Sequence, residues 1–337
     1  MERGLLNQAS DWDRSFDHLL RYLPRELDHW IVVYEGSFHK GIIAQLKSRL
    51  KSAEFFDLEK EASQTILDVG NSNLANERAG FLEFVIHYPA SIYDGHCPGA
   101  DGLNAFIFWP ETRMKICFDV TDTNFCDLFS ESPEEITERC LRLRDQVAQN
   151  DELLYQNGAA EPLTIGCAGA EWTAYSGFGK TFDHVLPSGE VSCLPKSVDG
   201  NLEVVGWIIG TIPFGVKFGR IQSGELNLRF EGRNIVNVSG FNRQLCADFE
   251  GALANAARLQ LVSEAGIGQS LAVRNAAENH KLGYSWHERH FGLHIGLGAE
   301  LPREDAANRG KVGGHHLDIV LAEGTLTGSN DREFLNW

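Results

Sequence analysis

The stretch WIVVYEGSFHKGIIAQLKSRL (30–50) sets the fold class. It opens as a compact β-branched and aromatic run, breaks at Gly36, and continues to Leu50 as a helical stretch with basic residues towards its end. Strand, turn and helix in that order are the unit of an α/β layer. Upstream, Trp12, Phe16, Leu19, Leu20 and Leu23 fall at helical spacing and Pro24 closes the run, which predicts an amphipathic helix. Downstream the alternation continues through FFDLE (55–59), a helix near 74–80, and the strands FLEFVIHY (81–88), FIFW (106–109) and KICFDV (115–120). Strands alternating with helices predict a largely parallel sheet.

SPEEITERCLRLRDQVAQNDELL (132–154) reads as one long helix. Ser132 opens a capping signature, Glu134 and Glu135 suit the positive end of the helix dipole, and Leu141, Leu143 and Val147 supply apolar contacts. From about Glu161 the composition turns to short β-rich runs punctuated by glycine, among them LTIGCAGAEWTAYSGFG, VVGWIIGTIPFGVKFGRI, LNLRFEG and NIVNVSG. One further helix is expected at 241–262, then the strand-like HFGLHIGLG and HLDIVLAEG. The expected architecture is α/β: an N-terminal α/β domain (1–155) with a largely parallel sheet, and a C-terminal α+β metal-binding domain (160–337).

A length of 337 residues suits two domains that each bury a core. With 47 acidic against 30 basic residues, the net charge of −17 opposes the phosphate neutralisation on which nucleic-acid binding depends and repels anionic membrane surfaces. Carboxylate-lined clefts suit divalent cations or amine-bearing substrates instead. The seven cysteines are scattered and form no Cys-x-x-Cys pair, so reduced, mostly buried thiols are expected. The first residues, MERGLLNQASDWDRSFDHLL, are polar and acidic, and no stretch approaches the ~18 apolar residues of a membrane span. The expectation is a cytoplasmic enzyme.

In GGHHLDIVLAEG (313–324), His316 and Asp318 flank one residue ahead of an apolar β-type run. Alternate side chains of a strand share a face, so imidazole and carboxylate can converge on one metal ion; an edge strand carries the same pattern as an ordinary surface pair. His294 lies in HFGLHIGLG, where flanking glycines allow close approach of a ligand or another backbone, and where a hydrogen-bonded core histidine reads equally well. His287 and His290 have charged neighbours and read as a solvated or outer-shell cluster. Glu264, in VSEAGIG, follows the expected helix as a cap or turn residue. Glu190, in LPSGEVSCLP, starts a strand after the turn Pro187-Ser188-Gly189. Taken together, two Glu, two His and one Asp could bind two divalent ions through a bridging carboxylate and a water.

The order LPSGEV, VSEAGIG, LHIGLG, HHLDIV resembles the M29, or aminopeptidase T, family of metallopeptidases. The likeness covers roughly residues 160 to 325, and FDVTDTNFCDLF (118–129) is similar to a Thr-Asp-Leu strand near the end of that family's first domain. The resemblance implies that Glu190, Glu264, His294, His316 and Asp318 are the metal ligands, and that the protein is a homodimer. It also implies two ions (Zn, Co or Mn) that activate water against a peptide or amide bond, with Glu264 bridging or nearest that water. The family's catalytic tyrosine is missing: Leu301 stands near its position, and Tyr284 lies upstream. The resemblance extends to a second branch of the same fold, the 2,5-dihydroxypyridine dioxygenases, which use one Fe(II) on a two-His, one-carboxylate triad and would carry histidine where this chain has Glu264, so that Glu264 favours the dinuclear hydrolytic centre. His184, in FDHVLPSGE, is a further candidate acid or base, or an ordinary turn histidine. The lead expectation is a metallo-aminopeptidase-like hydrolase of short peptides or small amides. The alternative is ring-opening dioxygenation, and a third is a repurposed non-peptidase relative in a specialised pathway.

Overall fold

The computed structural model describes residues 2–61, 63–74, 76–86, 113–158, 161–178, 184–256, 258–279, 283–298, 316–329 and 333–337. Cys97, the expected strand at 106–109 and Leu301 lie outside them. The chain divides into two compact units. One takes the residues up to Glu135 together with Ser176–Ser188; the other takes Ile136–Tyr175 and most of the chain from Gly189 onward.

In the first unit, α1 (Glu2–Tyr22), β1 (His29–Tyr34), α2 (Gly36–Arg49), β2 (Ala53–Asp57), α3 (Ser63–Leu74), β3 (Ala79–Val85), β4 (Met114–Phe118) and α4 (Phe125–Leu128) follow one another. α1 is amphipathic as its spacing predicts, with Phe16 and Leu19 fully buried. β1 is buried on both faces through its centre, which is why it reads as a continuous apolar run instead of an alternating one. Among the described residues the helix expected near 74–80 is not found: α3 ends at Leu74, the Asn76 side chain accepts from Arg78 N at 3.0 Å to form a turn, and β3 begins at Ala79.

The helix expected at 132–154 is α5 (Pro133–Val147), opened by a capping box in which Glu135 N donates to Ser132 Oγ and Ser132 N donates to the Glu135 carboxylate. It is shorter than expected because ELLYQ alternates, burying Leu153 and Tyr155, and pairs as β5 (Glu152–Gln156). Next come β6 (Leu163–Gly166), β7 (Thr173–Tyr175), β8 (Val185–Leu186), β9 (Glu190–Cys193), β10 (Ser197–Glu203), β11 (Gly206–Gly210), α6 (Phe214–Phe218), β12 (Asn227–Glu231) and β13 (Asn234–Ser239). The chain continues with α7 (Arg243–Asn255), β14 (Val262–Gly268), α8 (Leu271–Asn279), a 3-10 turn (Ser285–Arg289), β15 (Gly292–Gly298), β16 (His316–Leu321), β17 (Thr325–Gly328) and β18 (Glu333–Asn336). The helix expected at 241–262 is α7, which stops at Asn255 before a turn in which Arg258 adopts a positive φ of 67°.

The first unit carries a parallel five-stranded sheet, β2-β1-β3-β4-β8. The second carries two antiparallel sheets, β13-β12-β10-β6-β5-β17-β18 and β11-β16-β15-β14-β9-β7. The architecture is thus mixed α/β, with one parallel sheet and two antiparallel ones. Both antiparallel sheets contribute to one buried cluster; the six-stranded sheet supplies Val191, Ile208, Ala265, Ile267, Leu293, Ile295, Leu317 and Ile319 among others. Its opposite face is free to carry polar groups. Cys117, Cys140, Cys167 and Cys193 are buried. Among the described residues no helix is long and apolar enough to cross a membrane.

Candidate metal centre

The register of the six-stranded sheet places all five expected ligands on the face opposite the apolar core. His294 on β15 stands opposite Gly266 on β14, and Gly296 stands between Glu264 on β14 and Asp318 on β16. Gly298 is opposite His316, and Gly268 is opposite Glu190 on β9. Each candidate ligand therefore faces a glycine on a neighbouring strand. The glycines are needed for space: a Cβ on Gly266 would lie 2.0 Å from His294 Nε2, and one on Gly296 would lie 2.7 Å from Glu264 Cβ and 3.1 Å from Asp318 Oδ1. Glu264 sits within β14 and not, as the sequence suggested, just after a helix. The register shift between Val262 and Glu264 marks a local irregularity of the strand there.

The side chains interact as one cluster. His316 Nε2 lies 3.0 Å from Asp318 Oδ1, and His294 Nε2 lies 3.4 Å from Glu190 Oε1. Glu190, Glu288 and His294 place one donor atom each within 4.8 Å of one another. Arg289 Nη1 pairs with Glu190 Oε2 and, at 2.7 Å, with Glu288 Oε1. Glu190, His294, Asp318 and Arg289 are buried, whereas Glu264, Glu288 and His316 are partly exposed, so the cluster opens on their side.

The electrostatics follow from this crowding. Burial by itself would raise the Glu190 carboxyl, but Arg289 and His294 outweigh it and hold the group well below the usual carboxylate range. Burial and the adjacent charge of Glu190 push Glu264 up to about 8, and its carboxyl shares a hydrogen bond with Glu190. Burial disfavours the imidazolium of His294, yet Glu190 and Asp318 overcome it and push the ring up to about 9; His316, against Asp318, is pushed up to about 10. Both imidazoles are thereby driven towards their protonated form beside these carboxylates. Metal binding would release such protons. His294 Nδ1 and His316 Nδ1 are buried without a hydrogen-bond partner among the described residues, as suits ligand groups more than structural ones. The donor set fits a divalent cation.

Two members of the cluster, Glu288 and Arg289, are not legible as site residues in the sequence. Charges between His287 and His290 suggest a solvated segment, but His287 is fully buried and His290 nearly so. The signal was the company of Trp286 and Phe291: His287 stacks on Trp286 at 4.1 Å and lies 4.5 Å from Trp207. Tyr284 stacks on Trp286 at 5.5 Å, and its backbone N donates to His287 Nδ1 at 3.0 Å. His184 belongs to the first unit, where it leads into β8 and its carbonyl accepts from Ile116 N at 2.8 Å.

No family model matches the chain, and no curated protein matches it. Among solved structures it is similar to 2,5-dihydroxypyridine dioxygenase from Pseudomonas putida KT2440, with a TM-score of 0.60 and 16% identity, over 96% of this chain and 94% of that chain. At that identity the likeness establishes the fold.

Proposed function

We propose that the chain is a mononuclear non-haem iron(II) dioxygenase that opens an electron-rich, dihydroxylated aromatic ring such as a dihydroxypyridine. The observation that carries this reading is the set His294, His316 and Asp318 on adjacent strands β15 and β16, facing the glycine-lined side of the sheet. Two imidazoles and one carboxylate are the donor set that leaves positions free on an iron(II) ion. The full-length structural likeness to a dihydroxypyridine dioxygenase supports the same reading. Bound iron(II) would supply a redox-active centre with room for dioxygen and a ring hydroxyl.

The chain's own groups then divide the remaining work. His294, which is buried, and Asp318 would hold the ion together with His316, which Asp318 orients. Glu264 lies on the open side, where burial and the charge of Glu190 raise its carboxyl, so that its carboxylate form would be a stronger base than usual for taking a proton from a ring hydroxyl and returning it later. Trp207 and Ile209 share the ligand-bearing face on β11, both buried, and shield that side of the site from bulk water.

A second reading, a dinuclear M29-type hydrolase, is favoured by Glu264, which stands where a dihydroxypyridine dioxygenase would carry histidine, and by the place of its carboxylate. Glu264 reaches Glu190 on one side and stands with Asp318 over Gly296 on the other, as a carboxylate bridging two ions would. Anaerobic purification, elemental analysis and substrate trials separate the two. About one iron per chain, with oxygen uptake on 2,5-dihydroxypyridine, supports the dioxygenase. About two zinc or manganese ions with cleavage of peptide amides would replace it by the hydrolase.

A further inference from the structure

We infer that Arg289 takes the place of a second metal cation and thereby limits the centre to one ion. This rests on the metal-centre reading above. The six donors around the sheet divide into two groups, Glu190 with Glu288 and His294, and Glu264 with His316 and Asp318 over Gly296. The first group brings one donor atom from each member within 4.8 Å of the others, as an ion site does. The first already contains a cation: the buried Arg289 guanidinium is paired with both of its carboxylates.

A guanidinium keeps its charge at every accessible pH, so it cannot step aside by losing a proton as the two imidazoles can. Arg289 is held in place from its backbone, since it ends the 3-10 turn that leads directly into β15. Its carbonyl accepts from Ser270 N at 3.1 Å. A dication entering between Glu190 and Glu288 would find their charge already compensated and would meet a fixed positive charge at contact range, with little water to screen it. The arginine is thus a positioning residue that sets metal number, and through metal number the chemistry available to the site.

The test is manganese(II) titration of metal-free full-length protein, read by calorimetric stoichiometry and by electron paramagnetic resonance, in wild type, Arg289→Met and Arg289→Lys. Two manganese ions a few ångströms apart couple magnetically, a signature that a merely structural arginine would not control. The expected result is one uncoupled ion in wild type and in Arg289→Lys, and two coupled ions in Arg289→Met. One ion in a folded Arg289→Met, or two in wild type, overturns the inference and leaves a metal centre standing. No ion in wild type sinks the metal-centre reading itself. If Arg289→Met folds only in excess manganese and then holds two ions, the dication has replaced the guanidinium as proposed; if it stays unfolded there, a metal cannot replace the arginine and the inference fails.

Discussion

At the scale of single residues, the site is defined as much by what is missing as by what is present. Gly296 lacks the carbon that would press on Glu264 and Asp318 together. Gly296→Ala should therefore lower metal affinity by about 10- to 100-fold, the range seen when ligand orientation is disturbed, and cost about 1–3 kcal/mol through overpacking. Metal titration and urea unfolding check both; unchanged affinity would mean that the donors do not converge there. A different residue sets a pH effect in the first unit. Glu83 sits in β3 among Val33, Phe81 and Ile116, fully buried, with neither oxygen hydrogen-bonded among the described residues, and burial together with Glu35 pushes its pKa up to about 8. A carboxyl whose folded pKa is raised stabilises the fold fully below its unfolded pKa, near 4.5, and the contribution is lost as pH rises through about 8. Every tenfold difference in proton affinity between the folded and unfolded chain is worth about 1.4 kcal/mol. Glu83→Gln should be more stable than wild type at pH 8.5 and show no such gain at pH 4. A gain that is the same at both pH values would remove Glu83 as the titrating group.

At the scale of elements, β15 does two jobs with alternate residues. His294, Gly296 and Gly298 face the site, while Leu293, Ile295 and Leu297 enter the core. Ile295→Val should cost about 0.5–1.5 kcal/mol and leave metal affinity unchanged, the complement of Gly296→Ala one position away; a loss of affinity comparable to that of Gly296→Ala would mean that the two faces are not independent. The same alternation is why the centre could be read so far from sequence. His-x-Asp at 316–318 and the Gly-rich frames of Glu264 and His294 announce period-two geometry, and a strand face converts that period into convergence. What could not be read were residues whose place depends on pairing between distant segments. Arg289 looks solvated because charge is a local property, whereas it is buried in a segment that packs His287 against Trp207 on β11 and pairs Arg289 with Glu190 on β9. Lengths failed for a related reason. ELLYQ continues a helical composition, but tertiary pairing with β6 and β17 claims it as β5.

At the scale of the molecule, the surplus of acidic residues, 47 against 30, has a local concentration in the centre, where Glu190, Glu264, Glu288 and Asp318 are held together in one cluster. Arg289 compensates part of that charge through its pairs with Glu190 and Glu288. A folded chain that confines carboxylates in this way stores a cost that the unfolded chain, with the same groups dispersed in water, does not carry. An ion that binds the folded form alone offsets that cost by mass action, stabilising it by about 2.7 kcal/mol at a free concentration 100 times its dissociation constant. For a cooperative unit of about 150–250 residues, 1 kcal/mol moves the melting midpoint by about 2–4 °C. Scanning calorimetry of iron(II)- or manganese-saturated protein against chelated protein should then show a midpoint higher by about 5–10 °C, rising further with each increase in free metal. In Asp318→Asn the shift should vanish, because the variant keeps the side chain's size and removes the charge that both the ion and His316 require. A metal-dependent shift that survives Asp318→Asn would place the stabilising ion elsewhere in the molecule and remove the sheet face as its site.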